Sequence, residues 1–369
     1  MRALLIGSTE GISGKTMVTI GLATALRSSG YSVGYMKPLG RQLTAVGGAA
    51  VDADAQFLQA VLGLPDAATD LCPVVMTPDL FLRGVHGEAG DIRGRIRTAF
   101  DRLAAGRDVL LLGGTGTLAD GAFLGVSARQ LSAELGAPIL LVEPYRSEAC
   151  VDRVLLAQAL LGEALFGVVF NRIPSQSLPE VEEAAIPFLA AKGVEVLGAI
   201  PQDRHLDAIT VRQLVEVLDG KVVCGAERLD AFVERFSVGA MDADAALSYF
   251  QRVPNKAVIT GGHRTDIQLA ALETSTTCLV LTGDQMPNQI IAARAKDAGV
   301  PIVCVAFDTL TTVEKLQAVM GKIRIREDSK VRRTQDLLRD RLNSRRIIQK
   351  LGLKSPAAGP PLPERRPHG

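Results

Sequence analysis

The sequence predicts a doubly wound parallel α/β sheet followed by a second, smaller α/β domain. Three observations carry this expectation. Short apolar runs ending in Gly or Pro alternate with stretches of helical period through the first 200 residues. The alternation resumes near Ala208 on a smaller scale. Trp is absent and aromatic residues make up 4%, so aliphatic side chains must build the cores, which suits layered helices on buried strands better than a β-sandwich. A chain of 369 residues is long enough for two such cores.

In order, Arg2–Gly7 reads as an apolar strand and Lys15–Ser28 as a helix stopped by Gly30. Tyr31–Lys37 is a strand closed by Pro38, and Asp52–Leu64 and Ile92–Ala105 are helical by period. Asp108–Leu112 is a continuous apolar run of the kind a buried parallel strand shows. Helix Ser127–Leu135, strand Pro138–Val142, helix Ala149–Leu161, strand Phe166–Phe170, helix Val181–Ala191 and strand Val196–Ile200, ending at Pro201, complete the first domain. The second domain reads as helix Val211–Leu218, strands Lys221–Cys224 and Ala257–Thr260, helix Ile267–Leu272, strand Thr277–Leu281, helix Ile290–Ala298 and strand Ile302–Ala306.

After Gly321 the pattern changes. Asp328–Leu351 predicts one amphipathic helix, with Val331, Leu338, Leu342 and Ile348 among many arginines, and Ser355–Gly369 is Pro-rich and expected to be disordered. The expected boundaries are therefore 1–205, 208–321, a basic helix over 322–354 and a tail over 355–369. Truncation at Gly321 is expected to leave both domains folded.

From Lys322 onward there are 14 Lys/Arg against 5 Asp/Glu, a net +9 that leaves −8 for residues 1–321. The basic segment has no interleaved aromatics to stack on bases and no DNA-reading motif, so nucleic acid is not an expected partner. It has no bulky aromatic for membrane insertion either, and the expected role is a helix packed on its own protein or on an acidic partner. No apolar run approaches the ~20 residues that span a bilayer, and no secretion signal opens the sequence, so the expected compartment is the cytoplasm. Cys72, Cys150, Cys224, Cys278 and Cys304 are widely spaced, which speaks against a zinc site or a disulfide framework. His86, His205 and His263 have no partner at metal-ligand spacing.

The chemistry concentrates at the first strand-to-helix turn. A Gly-rich loop followed by Gly14-Lys15-Thr16 opening a helix points backbone N–H groups and the helix dipole at an anion. Lys15 would neutralise phosphates and Thr16 would offer its hydroxyl to Mg²⁺. Thr9 stands where the usual spacing has Gly, with Gly7 and Gly11 supplying the flexibility. The expected nucleotide contacts are Thr9, Glu10, Gly11, Ile12, Ser13, Gly14, Lys15, Thr16 and Met17.

The run Gly7–Thr16 (GSTEGISGKT) resembles the phosphate loop of dethiobiotin synthetase. Tyr35-Met36-Lys37-Pro38 is similar to that family's second-strand Lys-Pro, Asp52 and Asp54 match its acidic segment, and Asn171-Arg172-Ile173-Pro174 resembles its adenine-side turn. The resemblance implies ATP with Mg²⁺, a metal held by Thr16 and Asp54, catalytic Lys15 and Lys37, and Asn171 and Pro201 beside the nucleotide. Asp52 and Asp54 also read as helix-capping acids, and Asn171 as a turn residue before Pro174. Further on, Val258–Glu273 (VITGGHRTDIQLAALE) together with Ser237–Met241 (SVGAM) resembles a DRTGG domain. That pair of domains, over about residues 1–320, resembles the amino-terminal regulatory part of long phosphate acetyltransferases and their stand-alone relatives. It implies a homo-oligomer, a metabolic-enzyme partner and a second adenine nucleotide at Gly262, His263, Arg264 and Asp266. Arg264 and Asp266 read equally as a pair with each other or as caps of the following helix.

Three departures bear on function. No acetyltransferase domain follows in this sequence, so acetyl transfer by these residues is not expected. Gly113 stands where the synthetases have a metal-holding Glu, and His263 where the DRTGG pattern has Asp. The expected function is thus an ATP-binding regulatory or sensor protein with slow or no hydrolysis. The alternative is an ATP-dependent carboxylating or amide-forming ligase.

Overall fold

The strand β1 (Arg2–Gly7) is apolar after Arg2 because its remaining residues are buried and it is bordered by strands on both sides. A computed structural model describes residues 1–46, 49–319 and 327–353 of the chain, so the expected 355–369 tail and the boundary at Gly321 lie outside the described residues. The chain divides into two compact units, one holding Met1–Gln202 and the C-terminal helices, the other beginning at Asp203.

In the first unit, β1 is joined by β2 (Val33–Met36), β3 (Val109–Gly113), β4 (Ile139–Pro144), β5 (Leu165–Ile173) and β6 (Val196–Pro201). Among the described residues these form one parallel sheet in the order β6-β5-β4-β1-β3-β2. The chain passes from β1 to β2 at the edge, returns to lay β3 between them, then turns to the other side with β4, so the crevice for a ligand opens at the carboxyl end of β1. Helices α1 (Lys15–Ser28), α2 (Ala53–Leu62), α3 (Ile92–Ala104), α4 (Ala128–Leu135) and α5 (Cys150–Leu161) connect these strands. The doubly wound sheet expected from the sequence is present. Asp52 is the cap of α2 rather than its first helical residue, its side chain accepting from the N–H groups of Asp54 and Ala55. A helix at Pro78–Val85 was not read from the sequence, although Thr77 capping a Pro at the first helical turn is a recognisable start.

The second unit carries β7 (Lys221–Cys224), β8 (Arg235–Val238), β9 (Lys256–Gly261), β10 (Thr276–Thr282) and β11 (Ile302–Cys304) in the order β7-β11-β10-β9-β8. Only β7 runs antiparallel to its neighbour. Helices α6 (Val211–Leu218), α7 (Ala243–Gln251), α8 (Thr265–Leu272), α9 (Gln289–Ala298) and α10 (Thr309–Val319) cover both faces. Val258 packs with Phe250 and Ile267 on one side, while its neighbours Ala257 and Ile259 pack with Leu214 and Leu316 on the other. The edge strand β8 and helix α7 escaped the sequence reading, because Arg235-Phe236-Ser237-Val238 has no apolar run long enough to announce a strand.

The basic C-terminal segment differs from expectation. Its described part is two helices, α11 (Asp328–Arg341) and α12 (Ser344–Lys350), and both belong to the first unit. The break falls at Leu342, whose backbone is extended and bridges Gly198 on the outer strand β6, while Asn343 N–H donates to the Leu197 carbonyl at 2.8 Å. Edge pairing therefore takes the backbone bonds that a continuous helix would have used. The arginines serve as surface tethers: Arg346 and Lys350 hold Glu195, and Arg341 holds Glu182. Under them, Leu338, Leu342, Ile347 and Leu351 are buried.

Gly21 explains how close α11 comes to α1: a Cβ there would lie 2.2 Å from Leu338 Cδ1. The truncation expected to be harmless would strip this face of α1 of its cover. Leu338→Ala is predicted to cost about 2–5 kcal/mol, read as a shift in the denaturation midpoint of the full chain. Removing the two helices should cost more. Unchanged unfolding of the truncated chain would refute a structural role.

Candidate functional site

The loop between β1 and α1 is shaped around two side chains. Gly14 is left-handed, with φ 94°, and the Asn171 amide nitrogen would lie only 2.1 Å from a Cβ placed there. That amide donates to the Ser13 carbonyl at 2.8 Å. Asn171 lies near the end of β5 and is itself fixed by Arg172, a left-handed non-glycine residue whose N–H donates to Asn171 Oδ1 at 2.9 Å. The second side chain is Lys15. Its Nζ donates to the carbonyls of Glu10 (3.2 Å), Gly11 (3.1 Å) and Gly116 (2.7 Å), so the loop curls around one ammonium group. Burial and the nearby Lys37 push Lys15 down to about 8, with Asp120 and Asp54 opposing. Lys37 and Asp54, expected at the site from sequence, therefore share its electrostatic field.

Thr9, in place of the usual glycine, is tied down from outside the loop. Its hydroxyl donates to Glu143, a fully buried carboxylate on β4 that also accepts from Arg153 of α5. Burial pushes Glu143 up while Thr9 and Arg153 pull it back. Glu10 pairs with Arg146 at 3.3 Å. Ile12 is exposed on the loop, whereas Met17 faces the core, and Pro201 ends β6 beside Ile173.

Lys37 sits between two carboxylates, Asp52 at 2.8 Å and Asp54 at 2.9 Å. Asp52 is an architectural group. One oxygen accepts from the N–H groups of Asp54 and Ala55, the other from those of Arg41 and Gln42. Burial pushes Asp52 up, but Lys37 and these donors outweigh it and hold the group below the usual carboxylate range. Asp54, the expected metal ligand, pairs with Lys37. Asp120 pairs with Arg41 at 2.7 Å. Among the described residues, no cluster of three or more His, Cys, Asp or Glu side chains could hold a metal. Each of the five acids described around the loop faces a cation, so the donor set does not fit a magnesium ion held by protein carboxylates.

In the second unit, Arg264 and Asp266 pair with each other at 2.8 Å, and Arg264 also donates to the Met241 carbonyl at 2.7 Å. Gly262 packs against Gln285, and His263 lies over Gly261. Gln268, which the sequence reading missed, donates to the carbonyls of Gly261 (3.1 Å) and Gly262 (3.0 Å). Its Oε1, like Ser237 Oγ on β8, is buried with no partner among the described residues. Through Gly261, Gln268 is tied to the carboxyl end of β9, the end at which open α/β sheets take ligands.

Two protein-family profiles match the chain: an AAA domain over residues 2–210 and a DRTGG domain over residues 213–319. A phosphate acetyltransferase of Nitrosomonas europaea is 23% identical over 370 residues, covering 95% of this chain and 52% of the relative. The chain thus spans about half the length of the first curated relatives it matches. An ATP-dependent dethiobiotin synthetase of Aromatoleum aromaticum is 31% identical over 215 residues, covering 57% of this chain and 95% of the relative. Among solved structures, the CBS and DRTGG domains of a Clostridium perfringens pyrophosphatase, complexed with the activator diadenosine tetraphosphate, align over 42% of this chain and 76% of that chain, at 16% identity and a TM-score of 0.29. No helix among the described residues is long and apolar enough to cross a membrane.

Surrounded as it is here, Lys15 loses its proton near pH 8, whereas against phosphate oxygens it keeps its charge. Binding a polyphosphate above that pH therefore takes up a proton, and affinity is predicted to fall by up to about tenfold per pH unit. Titration of the full chain with inorganic triphosphate at pH 7 and pH 9 checks this. An affinity flat across that range would mean that Lys15 does not face the anion.

Proposed function

This chain belongs to the AAA-domain family of P-loop proteins and carries a DRTGG domain, and on that premise we propose that it is an ATP-binding regulatory sensor of the phosphate-acetyltransferase amino-terminal kind. The phosphates lie on the backbone N–H groups of the loop and the first turn of α1, with Lys15 turned from its carbonyl partners onto them and Thr16 at their edge. Asn171 and Pro201 border the base side. The DRTGG unit takes a second adenine nucleotide near Gly262, His263, Arg264 and Asp266, a reading supported by the buried, unpartnered oxygens of Gln268 and Ser237. Two ligand sites on one chain allow each to bias the other. The protein works in the cytoplasm as a homo-oligomer beside a metabolic enzyme.

One observation favours a sensor over a catalyst. A ligase of the dethiobiotin synthetase kind would use Lys37 on a carboxylate or carbamate. Here that ammonium lies against two carboxylates, and the trio carries net negative charge, which repels an anionic substrate. The ligase reading draws its support from the 31% identity to a dethiobiotin synthetase. No step of the proposed function passes through a metal ion.

Lys15→Ala is predicted to abolish ATP binding in calorimetric titration while the melting temperature holds. Undiminished affinity would place the phosphates elsewhere. Steady-state ATP hydrolysis by the unaltered chain is predicted to stay well under ~1 s⁻¹. Turnover at ordinary enzyme rates, stimulated by a carboxylate or amine, would replace the sensor with the ligase.

A further inference from the structure

We propose that this phosphate site holds its nucleotide through lysine charge and hydrogen bonds without a metal ion, and that Tyr35 fixes that specificity by filling the end of β3 where a metal-binding carboxylate would stand. The inference rests on the nucleotide reading given above and deepens it.

Tyr35 lies on β2 opposite Leu111 of β3, and its ring reaches diagonally to Gly113, two residues further along. A Cβ at Gly113 would come within 2.3 Å of the phenol oxygen and 3.0 and 3.2 Å of ring carbons. The ring is 2% exposed and rigid, so it cannot swing aside as a flexible chain end would. Gly113 has no positive φ, so space for the ring, and not backbone strain, accounts for the glycine. The position matters because this end of β3 touches the phosphate loop directly. Gly114 is packed against the Ile6 carbonyl, and Gly116 supplies the carbonyl nearest to Lys15.

The electrostatics agree with the geometry. Burial, with Asp54 and Asp52 nearby, pushes the phenol far above its ordinary range, so it stays neutral and adds no negative charge to hold a cation. The surrounding acids Glu10, Asp54, Asp120 and Glu143 face Arg146, Lys37, Arg41 and Arg153. Turning Glu10, Asp120 or Glu143 onto a metal would take a carboxylate from Arg146, Arg41 or Arg153, and Asp54 shares Lys37 with the buried Asp52. Lys15, held by carbonyl oxygens, is the positive charge the site offers in a metal's place.

The test is titration of the full chain with ATP at fixed ionic strength, once with excess Mg²⁺ and once with EDTA. Affinities within about threefold of each other are expected. The Tyr35→Ala/Gly113→Glu double variant, checked for folding by thermal melting, should acquire a Mg²⁺ dependence of about tenfold or more. Gly113→Glu alone should lower the melting temperature, because the new side chain meets the ring. A wild-type loss of about tenfold or more in EDTA overturns metal-free recognition while leaving the ATP site in place. Absence of ATP binding in both buffers overturns the nucleotide reading itself. A folded double variant without Mg²⁺ dependence removes Tyr35 from the role. If that variant does not fold, the two wild-type titrations still decide.

Discussion

The hydrogen bond from Asn171 to the Ser13 carbonyl fixes the turn on which the candidate site depends. It joins the end of β5 to a loop at the end of β1, across the intervening strand β4. Only a glycine can occupy position 14, since the backbone there is left-handed and the amide takes the space of a Cβ. With that turn set, α1 begins at Lys15, and the unsatisfied N–H groups of its first turn face the crevice. The parallel sheet supplies the rigid floor, and its switch of direction beside β1 supplies the opening.

Charge around this turn is closely balanced. Lys15 is held by carbonyl oxygens, which a phosphate can displace at little loss. Lys37 is bound into an ion-pair trio whose central acid also caps a helix and orders the Arg41–Gln42 backbone. Freeing Lys37 for a substrate would leave the fully buried Asp52 carboxylate without its cation, an expensive state in a low-dielectric interior. The group expected to be catalytic from sequence thus also takes part in the architecture.

The C-terminal helices show how a basic segment can be structural. Their arginines and lysine lie over Glu182 and Glu195, and their leucines fill the surface above α1 and β6. The DRTGG unit is therefore enclosed in sequence between two parts of one folded unit.

The sequence by itself determined the two α/β units, most of the strand and helix positions, and the phosphate loop. Each of these is written locally: an apolar run such as Leu110–Leu112 declares a doubly covered strand, and Gly14-Lys15-Thr16 declares a helix opening onto an anion. Asn171 and Lys37 were legible through short motifs, but what they touch was not. Tertiary structure alone decided that Thr9 reaches Glu143, 134 residues away, and that Tyr35 fills the space at Gly113. It also decided that Asp54 answers Lys37, and that a basic helix breaks at Leu342 to pair with Gly198. These contacts join residues distant along the chain, and which of them forms depends on strand order and packing distance, quantities that no local pattern encodes.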